Sequence, residues 1–60
     1  MTANEIKGLR ARLGLTQAAL ARRLRVQAVT VARWEQGTRA PDEVNRRRLA
    51  NIVRKEAQNG

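Results

Sequence analysis

The sequence has no cysteine, no histidine, no phenylalanine and no tyrosine, and only one proline and one tryptophan in 60 residues. Without cysteine there is no disulfide staple. Without cysteine and histidine there is no zinc knuckle and no Cys/His nucleophile. No metal site and no cofactor are expected. A chain this short buries only about 60% of the surface that its unfolded form exposes, so one economical core must hold by helix packing alone, helped by dimerisation where it occurs. The start, Met1-Thr2-Ala3-Asn4-Glu5, lacks a basic segment followed by an apolar one, and no run approaches a membrane-spanning length. The expectation is one soluble domain over residues 1–57 with a frayed tail at 58–60, located in the cytoplasm.

Acidic residues are also scarce. Five Asp/Glu face thirteen Lys/Arg, for a formal net charge of +8. Twelve of the thirteen positive residues are spread from Lys7 to Arg54 rather than gathered in a tail. Such a surface repels itself and attracts polyanions, of which nucleic acid is the commonest. A membrane-surface helix would need an apolar face with several large side chains, and a single aromatic, Trp34, is too little for that. No paired carboxylates, nucleophile–base set or phosphate loop is present, so an enzyme is not expected.

The breakers fall where helices should end. Thr2-Ala3-Asn4-Glu5 has the form of a capping box, and Ile6, Leu9 and Leu13 follow as one apolar stripe closed by Gly14. That predicts a helix over Ala3 to Leu13. Gly8 sits inside it, at a cost of about 1 kcal/mol relative to Ala unless a close contact needs the missing side chain. Thr16 caps a second helix, Gln17 to Leu24, whose inward face is Leu20, Ala21 and Leu24. A break at Arg25-Val26 precedes a third helix, Ala28 to Gln36, with Val31 and Trp34 inward and Gly37 at its end. Pro41 keeps Ala40 out of a helix. Asp42 then caps a final helix to about Ala57, with Val44, Leu49, Ile52 and Val53 available for burial.

The second and third helices are joined by a turn of three or four residues. Such a crossing is steep, so one residue at the contact must be small. Ala21 fills that position and Val31 packs against it from the third helix. Leu20, Leu24, Val26 and Trp34 complete a shared core. The segments Gln17-Ala18-Ala19-Leu20-Ala21 and Val31-Ala32-Arg33-Trp34-Glu35-Gln36-Gly37, with the trailing Pro41, resemble the helix-turn-helix of the phage repressor/Cro (Xre-like) family. The resemblance runs without a gap from about Ile6 to Pro41. No single element is specific, but their joint spacing is.

The resemblance implies an all-α, lambda-repressor-like domain that binds double-stranded DNA. In such motifs the second helix of the pair enters the major groove and the first lies across the backbone. The outward residues Gln27, Ala28, Val29 and Arg33 are then the candidates for base contacts. Arg33 suits a bidentate contact to guanine, Gln27 offers its amide to adenine, and Ala28 and Val29 suit thymine methyl groups. Candidates for the DNA backbone are Thr16 and Gln17, at a helix N-terminus that favours anions, with Thr30 and Arg39. Arg22, Arg23 and the run Arg46-Arg47-Arg48 read more simply as solvated surface. The family also implies that Arg10 pairs with Glu35, tying the first helix to the third. Arg10, Glu35, Ala21, Val31 and Trp34 are therefore taken as structural.

Three departures from the family pattern stand out. Arg25 occupies the turn position usually held by glycine, so a positive φ there is costly. Gln27 replaces the usual Ser or Thr cap. The residues after Pro41 suffice for one longer helix, so four helices are expected and the family's fifth is absent or merged. The leading functional expectation is a repressor-type transcriptional regulator, bacterial or phage-borne, that binds a two-fold operator as a homodimer. The alternative is an antitoxin-like protein that autoregulates its operon while another surface holds a partner protein.

Overall fold

A computed structural model describes residues 1–59, the side chain of Asn59 excepted. Among the described residues there are four helices and no strand: α1 (Ala3–Leu13), α2 (Gln17–Leu24), α3 (Ala28–Gln36) and α4 (Glu43–Asn59). The first three have the predicted limits, and all of their ends but the start of α3 are chemically marked. Thr2 accepts from the Glu5 amide at 3.2 Å while the Glu5 carboxylate accepts from the Thr2 amide at 2.9 Å, completing the capping box. Thr16 accepts from the Ala19 amide at 3.0 Å. Gly14 and Gly37 end α1 and α3 in the left-handed region, at φ 67° and 82°. Asp42 caps α4 by accepting from the Asn45 amide at 2.9 Å. The helix then runs two residues past the expected boundary at Ala57, through Asn59; Gly60 lies outside the described residues.

The α2–α3 pair is the most extensive packing in the molecule, with α1 laid against α3 and α4 against α2. Ile6, Leu9, Leu20, Ala21, Leu24, Val31, Trp34 and Leu49 form one buried cluster. Leu13, Leu15, Val26, Ile52 and Val53 pack against its edge, half-buried. Each fully buried large side chain contributes about 1.5–3 kcal/mol of burial, the only sizeable favourable term a chain without staples has.

Val44, expected to be available for burial, is 56% exposed. The inward stripe of α4 is Leu49, Ile52 and Val53, at i, i+3 and i+4. Val44 lies five residues before Leu49, about 500° of helix away, which turns it off the stripe toward solvent. Pro41 is buried at that end of α4. Gly8 does not mark a close approach either. A Cβ built there would meet nothing nearer than Arg12 Nη1 at 3.7 Å, an ordinary contact.

Candidate nucleic-acid interface

The α2–α3 corner is tight because Arg25 takes the left-handed conformation, φ 61° and ψ 41°, with its amide directed back to the carbonyls of Ala21 and Arg22. It is the one non-glycine among the described residues with positive φ. The end of α2 is secured from outside: Arg48 Nη1 donates to the Leu24 carbonyl at 2.7 Å. That contact, from a residue read as solvated surface, satisfies an oxygen that has no partner within the helix.

From this corner α3 emerges with two unlike faces. Val31, Trp34 and Glu35 are buried. Gln27, Ala28, Val29 and Arg33 are exposed, Val29 at 47%. Gln27 sits at the N-cap with extended backbone and makes no side-chain cap bond, so its amide is not consumed by the helix. Arg33 takes part in no ion pair among the described residues. A short, unacidic helix start carrying one amide, two small or branched apolar side chains and one guanidinium offers both bidentate and methyl contacts to base edges.

The backbone candidates are distributed around this helix. Thr30, Arg33 and Arg39 line one cleft of about 340 Å³, shared with Trp34, Asp42 and Asn45. The loop carrying Arg39 is tied down at Arg33, whose carbonyl accepts from the amides of Thr38 and Arg39 at 3.1 and 3.3 Å and from the Thr38 hydroxyl at 3.2 Å. On the other side, Thr16 caps α2 and leaves the first-turn amides of Gln17 and Ala18 without intrahelical acceptors, a favourable place for an anion.

Gln17 is also fixed by a contact that sequence reasoning missed. Its Nε2 donates to Glu35 Oε1 at 3.1 Å, which leaves one amide hydrogen and the carbonyl oxygen for a ligand. Glu35 is the hub of this side. Arg10 donates to it twice, Nε to Oε2 at 2.8 Å and Nη2 to Oε1 at 3.0 Å, and Arg10 Nη1 also reaches the Leu15 carbonyl at 3.0 Å. The Arg10 guanidinium holds the Glu35 carboxyl below the ordinary glutamate range, against the opposing effect of burial, with help from Gln17 and Lys7. Glu35 raises Arg10 in return. Arg10, α1, Gln17 and the recognition-helix candidate α3 are thus coupled through one buried carboxylate. A further tie, Arg12 to Glu56 at 2.9 Å, joins α1 to the far end of α4.

No group of His, Cys, Asp or Glu among the described residues is arranged to hold a metal ion, and no described helix is long and apolar enough to cross a membrane. No curated protein and no solved structure matches the chain. A family model described as helix-turn-helix matches residues 6–57, which takes in all of α2 and α3 and most of α1 and α4. With that match added to the capped corner and the two-faced α3, the chain belongs to the Xre or lambda-repressor-like helix-turn-helix family of DNA-binding transcriptional regulators.

Proposed function

We propose that the protein is a repressor that binds a two-fold DNA operator as a homodimer in the bacterial cytoplasm. In this reading α3 enters the major groove, Gln27, Ala28, Val29 and Arg33 meet base edges, and Thr16, Gln17, Thr30 and Arg39 meet the phosphate backbone. The observation that supports it most is the division of α3 into a buried Val31–Trp34–Glu35 face and an exposed face bearing Ala28, Val29 and Arg33, with Gln27 exposed at its N-cap. A single short helix reads few base pairs, so two copies about one helical turn apart on the DNA multiply both affinity and selectivity. With one guanidinium and one amide on the exposed face, much of the discrimination falls to methyl contacts and DNA shape.

A titration of selected against random DNA over a range of salt tests the reading. Affinity should fall steeply with salt, by a slope of about 0.9 for each phosphate neutralised. The selected site should be preferred by about 10³-fold or more. Equal affinity for all sequences would overturn it. Arg33→Ala should relax discrimination at one base position, costing about 1–3 kcal/mol there. A uniform loss across all sequences would instead make Arg33 a phosphate contact.

A further inference from the structure

A second basic surface lies behind the corner. Arg23 in the last turn of α2, Arg25 at its cap, and Arg48, Asn51 and Lys55 along α4 line one cleft of about 410 Å³ over an apolar floor of Leu24 and Ile52. No carboxylate lines it. None of its four cations forms an ion pair among the described residues, whereas Arg10, Arg12 and Arg47 each do. Two other clefts differ: one includes Asp42 beside its arginines, and the other includes Glu5 and an Arg12 paired with Glu56.

One of the four cations is held in place, and the backbone of a second is fixed. The Arg48 guanidinium is anchored to the Leu24 carbonyl through one nitrogen, leaving its remaining N–H donors free. Arg25 stands at a left-handed position where glycine carries no penalty, so a positive charge is kept at the rim against the conformational preference of the chain. Like charges gathered around one concavity repel, more strongly as ionic strength falls. An occupant of opposite charge removes that repulsion.

The lining also indicates the kind of anion. Forked guanidinium donors suit the tetrahedral oxygens of phosphate, and a lysine ammonium adds a mobile point charge. No aromatic side chain lines the cleft, so no platform exists for stacking a base. We propose that this cleft is a phosphate-binding site that takes linked phosphate groups. The source is either a free polyphosphate chain, such as that of a nucleotide, or the backbone of the DNA beyond the groove that α3 occupies. Arg25 precedes Gln27 by two residues, so the cleft's rim adjoins the start of the reading helix.

The test compares three full-length chains: wild type, the cleft variant Arg25→Gly/Lys55→Gln, and a control of equal net charge, Arg46→Gln/Arg54→Gln. All four positions are exposed, and neither control residue lines a cleft described above. Calorimetric titration with tripolyphosphate at constant ionic strength should show binding at least about tenfold weaker in the cleft variant than in the control, the loss expected for one charge-assisted contact or more. A parallel DNA titration against salt should show the cleft variant's slope smaller than the control's by about 1–2 if backbone phosphates are the source. Loss of tripolyphosphate binding with an unchanged DNA slope assigns a free ligand, and a reduced slope assigns the DNA backbone. Equal behaviour of the cleft variant and the control in both titrations overturns the proposal. Since Arg25→Gly relieves a left-handed arginine, weaker binding by that variant does not come from unfolding, which thermal denaturation verifies. A protein that binds no DNA at all would defeat the repressor reading and leave the tripolyphosphate comparison standing.

Discussion

The Arg10 guanidinium and the Glu35 carboxylate meet through two hydrogen bonds, 2.8 and 3.0 Å, one to each carboxylate oxygen, between residues 25 positions apart in sequence. The Glu35 side chain is 3% exposed and that of Arg10 26%. The pair therefore lies between a surface ion pair, worth about 0–1 kcal/mol, and a buried one. Removing one partner strands a desolvated charge. Arg10→Met is expected to destabilise the fold by about 2–4 kcal/mol, while Arg10→Met combined with Glu35→Leu recovers most of that loss. Denaturant titration of the two variants and the wild type provides the check, and a double variant no more stable than Arg10→Met would refute the stranded-charge account.

The same carboxylate is expected to contribute to the loss of stability in acid. Its folded pKa lies below the ordinary glutamate value of 4.5, chiefly because Arg10 donates to it. The unfolded chain then takes up the proton more readily than the folded one. The stabilisation is complete above about pH 4.5 and is lost as the pH falls through the lower folded value. Glu5, lowered by its bonds to Thr2, acts in the same direction. Unfolding free energy measured from neutral pH downward should be level and then decline below that point. In the Arg10→Met/Glu35→Leu variant the decline should be shallower; an unchanged acid profile would show that Glu35 is not its source.

At the end of α2, conformational strain and an external cap oppose each other. Arg25→Gly removes the left-handed penalty of about 1–2 kcal/mol but gives the unfolded chain more freedom, for a net gain of about 0.5–1 kcal/mol. Arg48→Met, which takes away the donor to the Leu24 carbonyl, should cost about 1 kcal/mol. Thermal unfolding of the two single variants should move in opposite directions. A destabilised Arg25→Gly would mean that the arginine makes contacts outweighing its strain.

Gly8 has room for a methyl group, its nearest neighbour being the flexible end of Arg12. Gly8→Ala should stabilise α1, and with it the domain, by about 0.5–1 kcal/mol. For a domain of this size that raises the midpoint of thermal unfolding by several degrees, about 4–8 °C per kcal/mol. A lowered midpoint would reveal a packing constraint at Gly8 that the contact distances do not contain.

Helix limits were legible from the residues because their signals are local. Thr2 with Glu5, Thr16, Gly14 and Gly37 each act within a turn of themselves, and a cap needs no knowledge of the rest of the chain. The α2–α3 corner was legible for a related reason: Ala21 and Val31 are ten residues apart, and a short turn leaves them little choice of partner. The exposed residues of α3 followed once Val31 and Trp34 were placed inward, since helical periodicity puts Val29 and Arg33 on the other side.

What the sequence by itself determined, then, is where α1, α2 and α3 start and stop, where α4 starts, and which face of α3 looks outward. The tertiary structure alone decided how α4 is rotated, and with it that Val44 faces solvent, that Arg48 caps α2 and that Arg12 finds Glu56. It also decided that Gln17 leans on Glu35 and that Arg23, Arg25, Arg48 and Lys55 surround one unacidic cleft. The physical reason is the same in each case. In a chain with thirteen cations and five acids, every arginine but Arg10, whose pairing with Glu35 the family resemblance implied, has several equally plausible neighbours by sequence. The packing of Leu49, Ile52 and Val53 against the core fixes which of them α4 brings within hydrogen-bonding reach, as the α2–α3 packing does for Gln17 and Glu35.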